Sequence, residues 1–151
     1  MNIKNVNIQL VTTNINDFKG LLDVFEEVFQ WVDYRYPTDE KLHHLLKNTN
    51  FLAVVAKIEN QVVVGLTTYI LDSYEVEKPS LYLHDLGVKA CFQNQGIGKQ
   101  LINYLMAYAK QNDFQDIFVS TEQDDNEDAI AFYRKTPFTD ETKVLQYSFQ
   151  L

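Results

Sequence analysis

The spacing of apolar residues along the chain predicts a mixture of helices and strands. Apolar side chains recur every three or four residues over 18–29 and again within 96–110, which is the period of a helix with one buried face. Asn14 or Asn16 can cap the first helix, and Thr38 can cap a shorter one through Leu46. A last helix is predicted over residues 128–135. Between the helices, β-rich runs predict strands at residues 8–12, 51–58, 62–71, 82–88, 117–121 and 144–149, with residues 59–61 as a hairpin connection.

Strands and helices in this mixed order predict an α/β (α+β) domain of three layers, in which helices flank a central mixed sheet. The 151 residues suit one domain, 1–151, and contain no repeat, low-complexity tract or Pro/Gly-rich linker. No apolar run is long enough to span a bilayer, and residues 1–5 lack the apolar core of a secretory signal. Cys91 is the only cysteine. We therefore expect a cytoplasmic protein without a disulfide and without a membrane partner.

The charge of the chain restricts its partners. With 13 basic and 21 acidic residues the net charge is −8, which argues against nucleic acid, because phosphate neutralisation needs a basic face. It is compatible with a cationic small molecule, although solubility alone explains most of the charges. An acidic cluster precedes the last helix, where Asp125 or Asn126 can act as the cap and early acidic residues favour the helix dipole. Its members are Glu122, Asp124, Asp125, Glu127 and Asp128.

The strand at 82–88 leads through a glycine turn into the helix at 96–110. Gly96 and Gly98 thus lie at a helix N-terminus, where free backbone N–H groups and the helix dipole favour an anion, above all a diphosphate. The turn is not a Walker A loop, because Gln100 follows Lys99. Nor is it a dinucleotide fingerprint, because Leu101 stands at the third glycine. A tight connection without a ligand is the alternative.

Two segments carry a resemblance to a known family. Gln93-x-x-Gly96-x-Gly98 resembles the acetyl-CoA-binding signature of the GNAT superfamily of N-acetyltransferases, and Asn126-x-x-Ala129-Ile130-x-Phe132-Tyr133, followed by Phe138, resembles its later helix. Two departures are Ala90, where many relatives have Pro, and Thr136-Pro137 in place of Leu-Gly. The resemblance implies the GNAT fold, with a splay between two central strands for the pantetheine arm, and acetyl-CoA as cosubstrate. The residues implied to bind coenzyme A are Leu86, Gly87, Val88, Gln93, Asn94, Gln95, Gly96, Ile97, Gly98, Lys99, Asn126 and Tyr133.

Tyr133 is the candidate catalytic acid. Its position is similar to that of a Tyr which in many GNAT enzymes lies near the coenzyme sulfur, and a neutral phenol can donate a proton to a thiolate. The alternative is that Phe132 and Tyr133 are both packing residues of the last helix.

His84 and Asp85 compete as the catalytic base. Strand alternation places positions 82, 84, 86 and 88 on one face and so groups His84 with Tyr82, while Asp85 points to the opposite face. The spacing from His84 to Val88 resembles that of a catalytic histidine in arylalkylamine N-acetyltransferases. The run 82–88 also resembles the Y-D-L-A-V strand of aminoglycoside 3-N-acetyltransferases, whose Asp matches Asp85. Alternation favours His84, and a β-bulge would reverse that preference.

The remaining candidate groups indicate no metal. His43 and His44 are adjacent and point in different directions on a helix, and Cys91 has no neighbouring base, which indicates an inert loop thiol. We therefore interpret the chain as an acetyl-CoA-dependent N-acetyltransferase that acts on the primary amine of a small, cationic, aminoglycoside- or polyamine-like acceptor by direct attack. A protein or peptide N-acetyltransferase and a non-catalytic acyl-CoA-binding regulatory domain stay open, and so does assembly as a homodimer.

Overall fold

A computed structural model describes residues 5–151 and divides them into two compact units, one up to Ser120 and the other Thr121–Leu151. The second unit contains the last helix. The elements are β1 (Asn7–Leu10), α1 (Ile15–Phe29), α2 (Asp39–Lys47), β2 (Phe51–Ile58), β3 (Gln61–Leu71), β4 (Ser80–Val88), α3 (Ile97–Gln111), β5 (Asp116–Val119) and α4 (Glu127–Arg134).

The five strands form one mixed sheet in the order β1-β2-β3-β4-β5. Neighbours from β1 to β4 run antiparallel, and β4 and β5 run parallel. The β2–β3 hairpin closes with Glu59 (φ 49°) and Asn60 (φ 66°), and Ile58 pairs with Gln61. Two successive positive φ angles are typical of the two-residue turn that matches strand twist, so the connection is one residue shorter than expected. The predicted α/β class with a mixed sheet is confirmed.

Helices cover both faces of the sheet in the first unit. The face toward α1 and α2 buries Phe18, Leu21, Phe25 and Leu42 against β2 and β3. The face toward α3 buries Ile97, Leu101 and Leu105 against Val54, Leu66 and Leu83. At Gly65 in β3 an added Cβ would lie 2.3 Å from Leu21 Cδ1, so the close approach of α1 to the sheet requires a glycine there. These contacts give the three predicted layers.

Helix starts follow the local sequence for α1 and α2. The Asn14 side chain accepts hydrogen bonds from the backbone N–H groups of Asn16 (3.0 Å) and Asp17 (3.2 Å). Thr38 Oγ1 accepts from Lys41 N at 3.2 Å. In the second unit Asn126 occupies the N-cap position of α4, but no side chain caps this helix, and Asn126 Nδ2 donates to Thr121 Oγ1 instead. The prediction that Asp125 or Asn126 caps α4 through its side chain is therefore wrong.

The predicted strand at residues 144–149 is also wrong. In the structure these residues have no ladder partner, and their apolar side chains are exposed. The alternating pattern suits a strand, but a strand forms only where its backbone N–H and C=O groups find a partner.

Within the described residues, no helix has the length and apolarity needed to cross a membrane.

Candidate active site

β4 contains a bulge at the position of the two candidate bases. Thr67 of β3 pairs with Asp85, and the next residue, Thr68, pairs with Leu83, so His84 is an extra residue without a partner in β3. An extra residue of this kind shifts the alternation of side chains along the strand. Bulges of this type often re-aim side chains next to active sites.

The shift changes which residues of β4 share a face. Leu81 and Leu83 before the bulge, and Leu86 and Val88 after it, all pack in the core beneath α3. The expectation that Leu86 and Val88 lie on the same face as Tyr82 and His84 is therefore wrong. It fails because alternation holds only while the strand keeps a regular register.

The bulge brings His84 and Asp85 to one face, toward α1. Tyr82 Oη lies 3.3 Å from His84 Nδ1, which confirms that Tyr82 and His84 are neighbours. Asp85 Oδ2 lies 3.6 Å from His84 Nε2. Gly87, two residues after Asp85, packs against Phe25 of α1, and an added Cβ there would lie 3.0 Å from Phe25 Cδ1. The expectation that Asp85 points away from the face of Tyr82 is wrong, for the same physical reason.

Aromatic side chains surround the pair. The Tyr69 ring lies 5.7 Å from the His84 ring in an edge-on arrangement, and the Tyr82 ring stacks on Phe118 of β5 at 5.2 Å. Both His84 and Asp85 remain partly exposed. Burial raises the pKa of the Asp85 carboxyl, and the neighbouring His84 opposes part of that rise. The arrangement can hold a cation at the carboxylate and accept a proton at the imidazole.

The ladder between β4 and β5 ends at the same place. Their parallel ladder runs from Ser80 paired with Asp116 to Leu83 paired with Val119, where β5 ends. β4 continues to Val88, and residues 84–88 have no partner in β5. The stretch of β4 without a partner in β5 therefore begins at the bulge, and the splay implied by the family resemblance stays a prediction.

Side-chain hydrogen bonds fix the loop between β4 and α3. Gln93 Nε2 donates to the carbonyl of Val88 at 3.0 Å, and Gln95 Nε2 donates to the carbonyl of Cys91 at 3.0 Å. The backbone N–H of Ala90 donates to Glu27 Oε1 of α1 at 3.1 Å. A proline at position 90 would have no N–H for this bond. Ala90, where many relatives have Pro, therefore allows a hydrogen bond to α1.

The N-terminus of α3 presents free backbone N–H groups and open space. Gly96 precedes the helix with φ 80°, a left-handed conformation that favours glycine, and no side chain caps the helix. The first helical bond joins Gln100 N to Gly96 O, so the N–H groups of residues 97–99 precede the helical ladder. An added Cβ at Gly96 would meet no atom within 4 Å, which leaves open space above the turn. These features fit the diphosphate of coenzyme A.

Tyr133 and the acidic cluster lie in the second unit. Tyr133 lies half-buried in α4, with its ring 5.1 Å from that of Phe132 in a perpendicular arrangement. Thr136 donates to the Tyr133 carbonyl through its N–H (3.0 Å) and its Oγ1 (2.5 Å). The helix thus closes without a glycine, as expected from Pro137. The acidic cluster is exposed: Glu122, Asp124, Asp125, Glu127 and Asp128.

The remaining candidate residues are His43, His44 and Cys91. His43 and His44 are exposed on α2, and Cys91 is an exposed free thiol. Among residues 5–151 no group of three or more His, Cys, Asp or Glu side chains could hold a metal ion. Sequence reasoning missed Glu27, Tyr69 and Phe118, whose contacts with the site are made across long stretches of chain. No local signal marks them.

Comparison with known proteins places these features in a family. The model of the acetyltransferase (GNAT) family matches residues 18–138. The aminoglycoside acetyltransferase meta-AAC0020 from an uncultured soil metagenomic sample, solved with trehalose, is 36% identical, with 97% of this chain and 96% of that chain covered and a TM-score of 0.93. The aminoglycoside acetyltransferase HMB0005, also from soil, is 25% identical over 98% and 99%, with a TM-score of 0.89.

A more distant structure repeats the fold alone. AAC(6')-Iy, solved with the bisubstrate analogue CoA-S-monomethyl-acetylneamine, is 15% identical, with 98% and 100% of the two chains covered and a TM-score of 0.79. A comparison with curated proteins finds no match. Because the family model spans most of the chain and the solved neighbours repeat its fold almost from end to end, the chain belongs to the GNAT family and is an acetyl-CoA-dependent N-acetyltransferase.

Proposed function

We propose that the enzyme acetylates a primary amine of a small, cationic acceptor of the aminoglycoside or polyamine type. The observation that carries this proposal is the bulge in β4, which sets the imidazole of His84 and the carboxylate of Asp85 side by side on an aromatic face. A carboxylate and aromatic rings are the groups that recognise an ammonium ion. The meta-AAC0020 structure in complex with sisomicin, 35% identical to this chain, supports the aminoglycoside class.

Most of the residues proposed to bind the cosubstrate lie at the end of β4 and in the loop that leads from β4 into α3. The N–H groups at the start of α3 would hold the diphosphate, and the unpaired stretch of β4 would face the pantetheine arm. Bound acetyl-CoA supplies the acetyl group as an activated thioester. The residues proposed for this binding are Leu86, Gly87, Val88, Gln93, Asn94, Gln95, Gly96, Ile97, Gly98, Lys99, Asn126 and Tyr133.

The proposed mechanism assigns proton handling to three side chains. Asp85 holds the acceptor ammonium near the splay, and His84 takes its proton, which leaves a neutral amine as the nucleophile. The carboxylate of Asp85, 3.6 Å from His84 Nε2, then stabilises the imidazolium. The neutral nitrogen would attack the acetyl carbonyl, the carbon–sulfur bond would break, and Tyr133 would donate its phenolic proton to the departing thiolate. The phenolate of Tyr133 would then take the second proton, which the nitrogen loses as the amide forms. No metal takes part in this scheme.

The proposed setting of the enzyme follows from its charge and its cysteine. A net charge of −8 repels nucleic acid and an anionic membrane surface. The single exposed thiol of Cys91 suits a reducing compartment, so we place the enzyme in the cytoplasm.

The test is an acetyl-CoA-dependent thiol-release screen over aminoglycosides, polyamines and peptides, with the acetylated product identified by mass spectrometry. Cys91→Ser should serve as the enzyme, because the exposed native thiol would itself react with the detection reagent. Release with small polyamines or aminoglycosides is expected. Release with peptides alone would assign a peptide N-acetyltransferase, and binding of coenzyme A without turnover of any acceptor would assign a regulatory domain.

A further inference from the structure

The loop that leaves β4 is bonded to two other elements of the first unit at successive residues. The backbone N–H of Lys89 donates to the carbonyl of Val63 in β3 at 3.0 Å. The next N–H, that of Ala90, donates to a side chain: Glu27 Oε1 of α1 accepts it at 3.1 Å, across 63 positions of the chain. A carboxylate that accepts from a backbone N–H makes a charge-assisted hydrogen bond, which is stronger than a bond between neutral groups. Glu27 therefore ties the first turn of the loop to α1.

The bond at Ala90 is continued toward α3 by further hydrogen bonds within the loop. Ala90 begins a 3₁₀ turn, Ala90–Phe92, and its carbonyl accepts from the Gln93 N–H at 3.3 Å. The carbonyl of Cys91, in the middle of this turn, accepts from Gln95 Nε2 at 3.0 Å, and α3 begins two residues after Gln95. Displacement of the turn would therefore move the acceptors that hold residues 93 and 95, which lie just before the free N–H groups of α3.

Glu27 lies on a part of α1 that the core holds firmly. Val24 and Phe25, just before it in the helix, are buried between α1 and the sheet. Both pack against the end of β4, since an added Cβ at Gly87 would lie 3.0 Å from Phe25 Cδ1 and 3.3 Å from Val24 Cγ1. A side chain on a helix that is packed in this way has a fixed origin, so the Glu27 carboxylate is a firm attachment point for the loop.

We propose that Glu27 is a positioning residue for coenzyme A: it holds the loop so that the N–H groups at the start of α3 are in place before the diphosphate arrives. The inference rests on the proposed binding of coenzyme A at this helix. Without the Glu27 carboxylate the loop adopts the binding arrangement for a smaller fraction of the time, and the apparent dissociation constant rises as the reciprocal of that fraction. Bound coenzyme A itself orders the loop, so the rate at saturation does not depend on Glu27.

The first experiment measures the affinity for coenzyme A by calorimetry in variants of Glu27. Glu27→Ala should weaken binding about two- to tenfold, the range that one hydrogen bond contributes. It should raise KM for acetyl-CoA to the same extent and leave kcat on the preferred amine nearly unchanged. Glu27→Gln keeps an acceptor oxygen and should restore most of the affinity. Parent-like affinity in Glu27→Ala, or a loss that Glu27→Gln does not restore, overturns the proposal.

Glu26→Ala is the matched control for the loss of an acidic side chain from α1. Burial and the Glu26 carboxylate raise the pKa of Tyr34, which places this neighbouring carboxylate near the Tyr34 ring. Coenzyme A should bind to Glu26→Ala as it does to the parent. An equal loss of affinity in Glu26→Ala and Glu27→Ala would mean that the charge of α1, and not the bond to Ala90, sets the affinity, and the proposal would be wrong.

The second experiment is a double-mutant cycle with Ala90→Pro, which removes the N–H donor. The backbone accommodates this change, because Lys89 has ψ 139°, in the extended range preferred before a proline, and Ala90 is the first residue of its turn. In the Ala90→Pro background, Glu27→Ala should leave the affinity for coenzyme A unchanged, since the bond is already absent. The same loss in both backgrounds would show that Glu27 acts through another contact, which refutes the proposal.

Gly98→Val separates this inference from the proposed function. If Gly98→Val weakens coenzyme A binding and Glu27→Ala does not, the proposed binding loop is retained and the positioning role of Glu27 is refuted. If Gly98→Val binds coenzyme A as the parent does, the loop assignment fails, and the role of Glu27 fails with it.

Discussion

At the scale of single residues, the position of His84 depends on one extra residue in the register of β4. Without the bulge, Asp85 would face the α3 core and His84 alone would remain beside Tyr82. With the bulge, the imidazole and the carboxylate lie within ion-pairing distance on the same surface. The two groups that the sequence presents as competitors are therefore neighbours that can act together.

Substitution of each group separates their roles. His84→Gln should lower kcat on the preferred amine by about 10²–10⁴-fold, because it removes the imidazole that takes the proton of the acceptor. Asp85→Asn should mainly raise KM for a cationic acceptor, since it removes the charge that holds the ammonium. Paired pH–rate profiles at saturating acetyl-CoA provide the measurement.

The reverse pattern identifies Asp85 as the base. In that case Asp85→Asn gives the large loss of kcat and His84→Gln is mild. Profiles equal to the parent for both variants would mean that neither side chain removes the proton, and that positioning of an already neutral amine carries the reaction.

Tyr133→Phe tests the proposed acid. The change keeps the ring that contacts Phe132 and removes only the hydroxyl, so coenzyme A should still bind. Turnover should fall by about 10²–10⁴-fold if the phenol protonates the thiolate. Phe132→Leu is the control for packing, because it disturbs the same helix without touching the hydroxyl. Parent-like turnover in Tyr133→Phe, with the chemical step limiting, would make Tyr133 a packing residue.

At the scale of elements, the starts of α1, α2 and α3 could be predicted from the sequence, because each depends on contacts between near neighbours, whereas the predicted side-chain cap of α4 was wrong. Asn14 and Thr38 cap α1 and α2 through backbone groups two or three residues ahead, and the glycine turn before α3 is equally local. The bulge at His84 could not be predicted, because it arises from pairing between β3 and β4. The segment at 144–149 has the right pattern for a strand but lacks the partner, which no local pattern supplies.

The coenzyme A loop also depends on residues that are close together in the sequence, so a single substitution can test its role. Gly98→Val places a branched side chain in the first turn of α3, close to the proposed diphosphate, and should weaken coenzyme A binding by at least about tenfold, or about 1.4 kcal/mol. Calorimetry with coenzyme A measures this. Ala107→Val introduces the same β-branched residue at an exposed position of the same helix and should bind normally. Unchanged affinity in Gly98→Val would contradict the loop assignment.

At the scale of the whole molecule, the structure consists of two compact units. The single domain expected for residues 1–151 therefore stays a prediction. The coenzyme A loop and the His84–Asp85 pair lie in the first unit, and Tyr133 and Asn126 lie in the second. Thermal unfolding of the two units tests the single-domain prediction. If they unfold in one cooperative transition, calorimetric and van't Hoff enthalpies agree, which is the signature of a single domain.

The net charge of −8 should make catalysis depend on salt with opposite signs for the two substrates. A polycationic acceptor is attracted to an acidic protein, so its kcat/KM should fall as ionic strength rises, since the screening length shrinks from about 30 Å at 0.01 M to about 10 Å at 0.1 M. Coenzyme A carries negative phosphates and is repelled, so its kcat/KM should rise over the same range. The opposed signs serve as an internal control, because a general effect of salt on folding would move both values together. A monoamine acceptor should show a weaker fall than a polyamine of similar size. If the value for the polycation is flat, the acidic surface serves solubility alone, and recognition of the acceptor rests on short-range contacts at Asp85 and the surrounding rings.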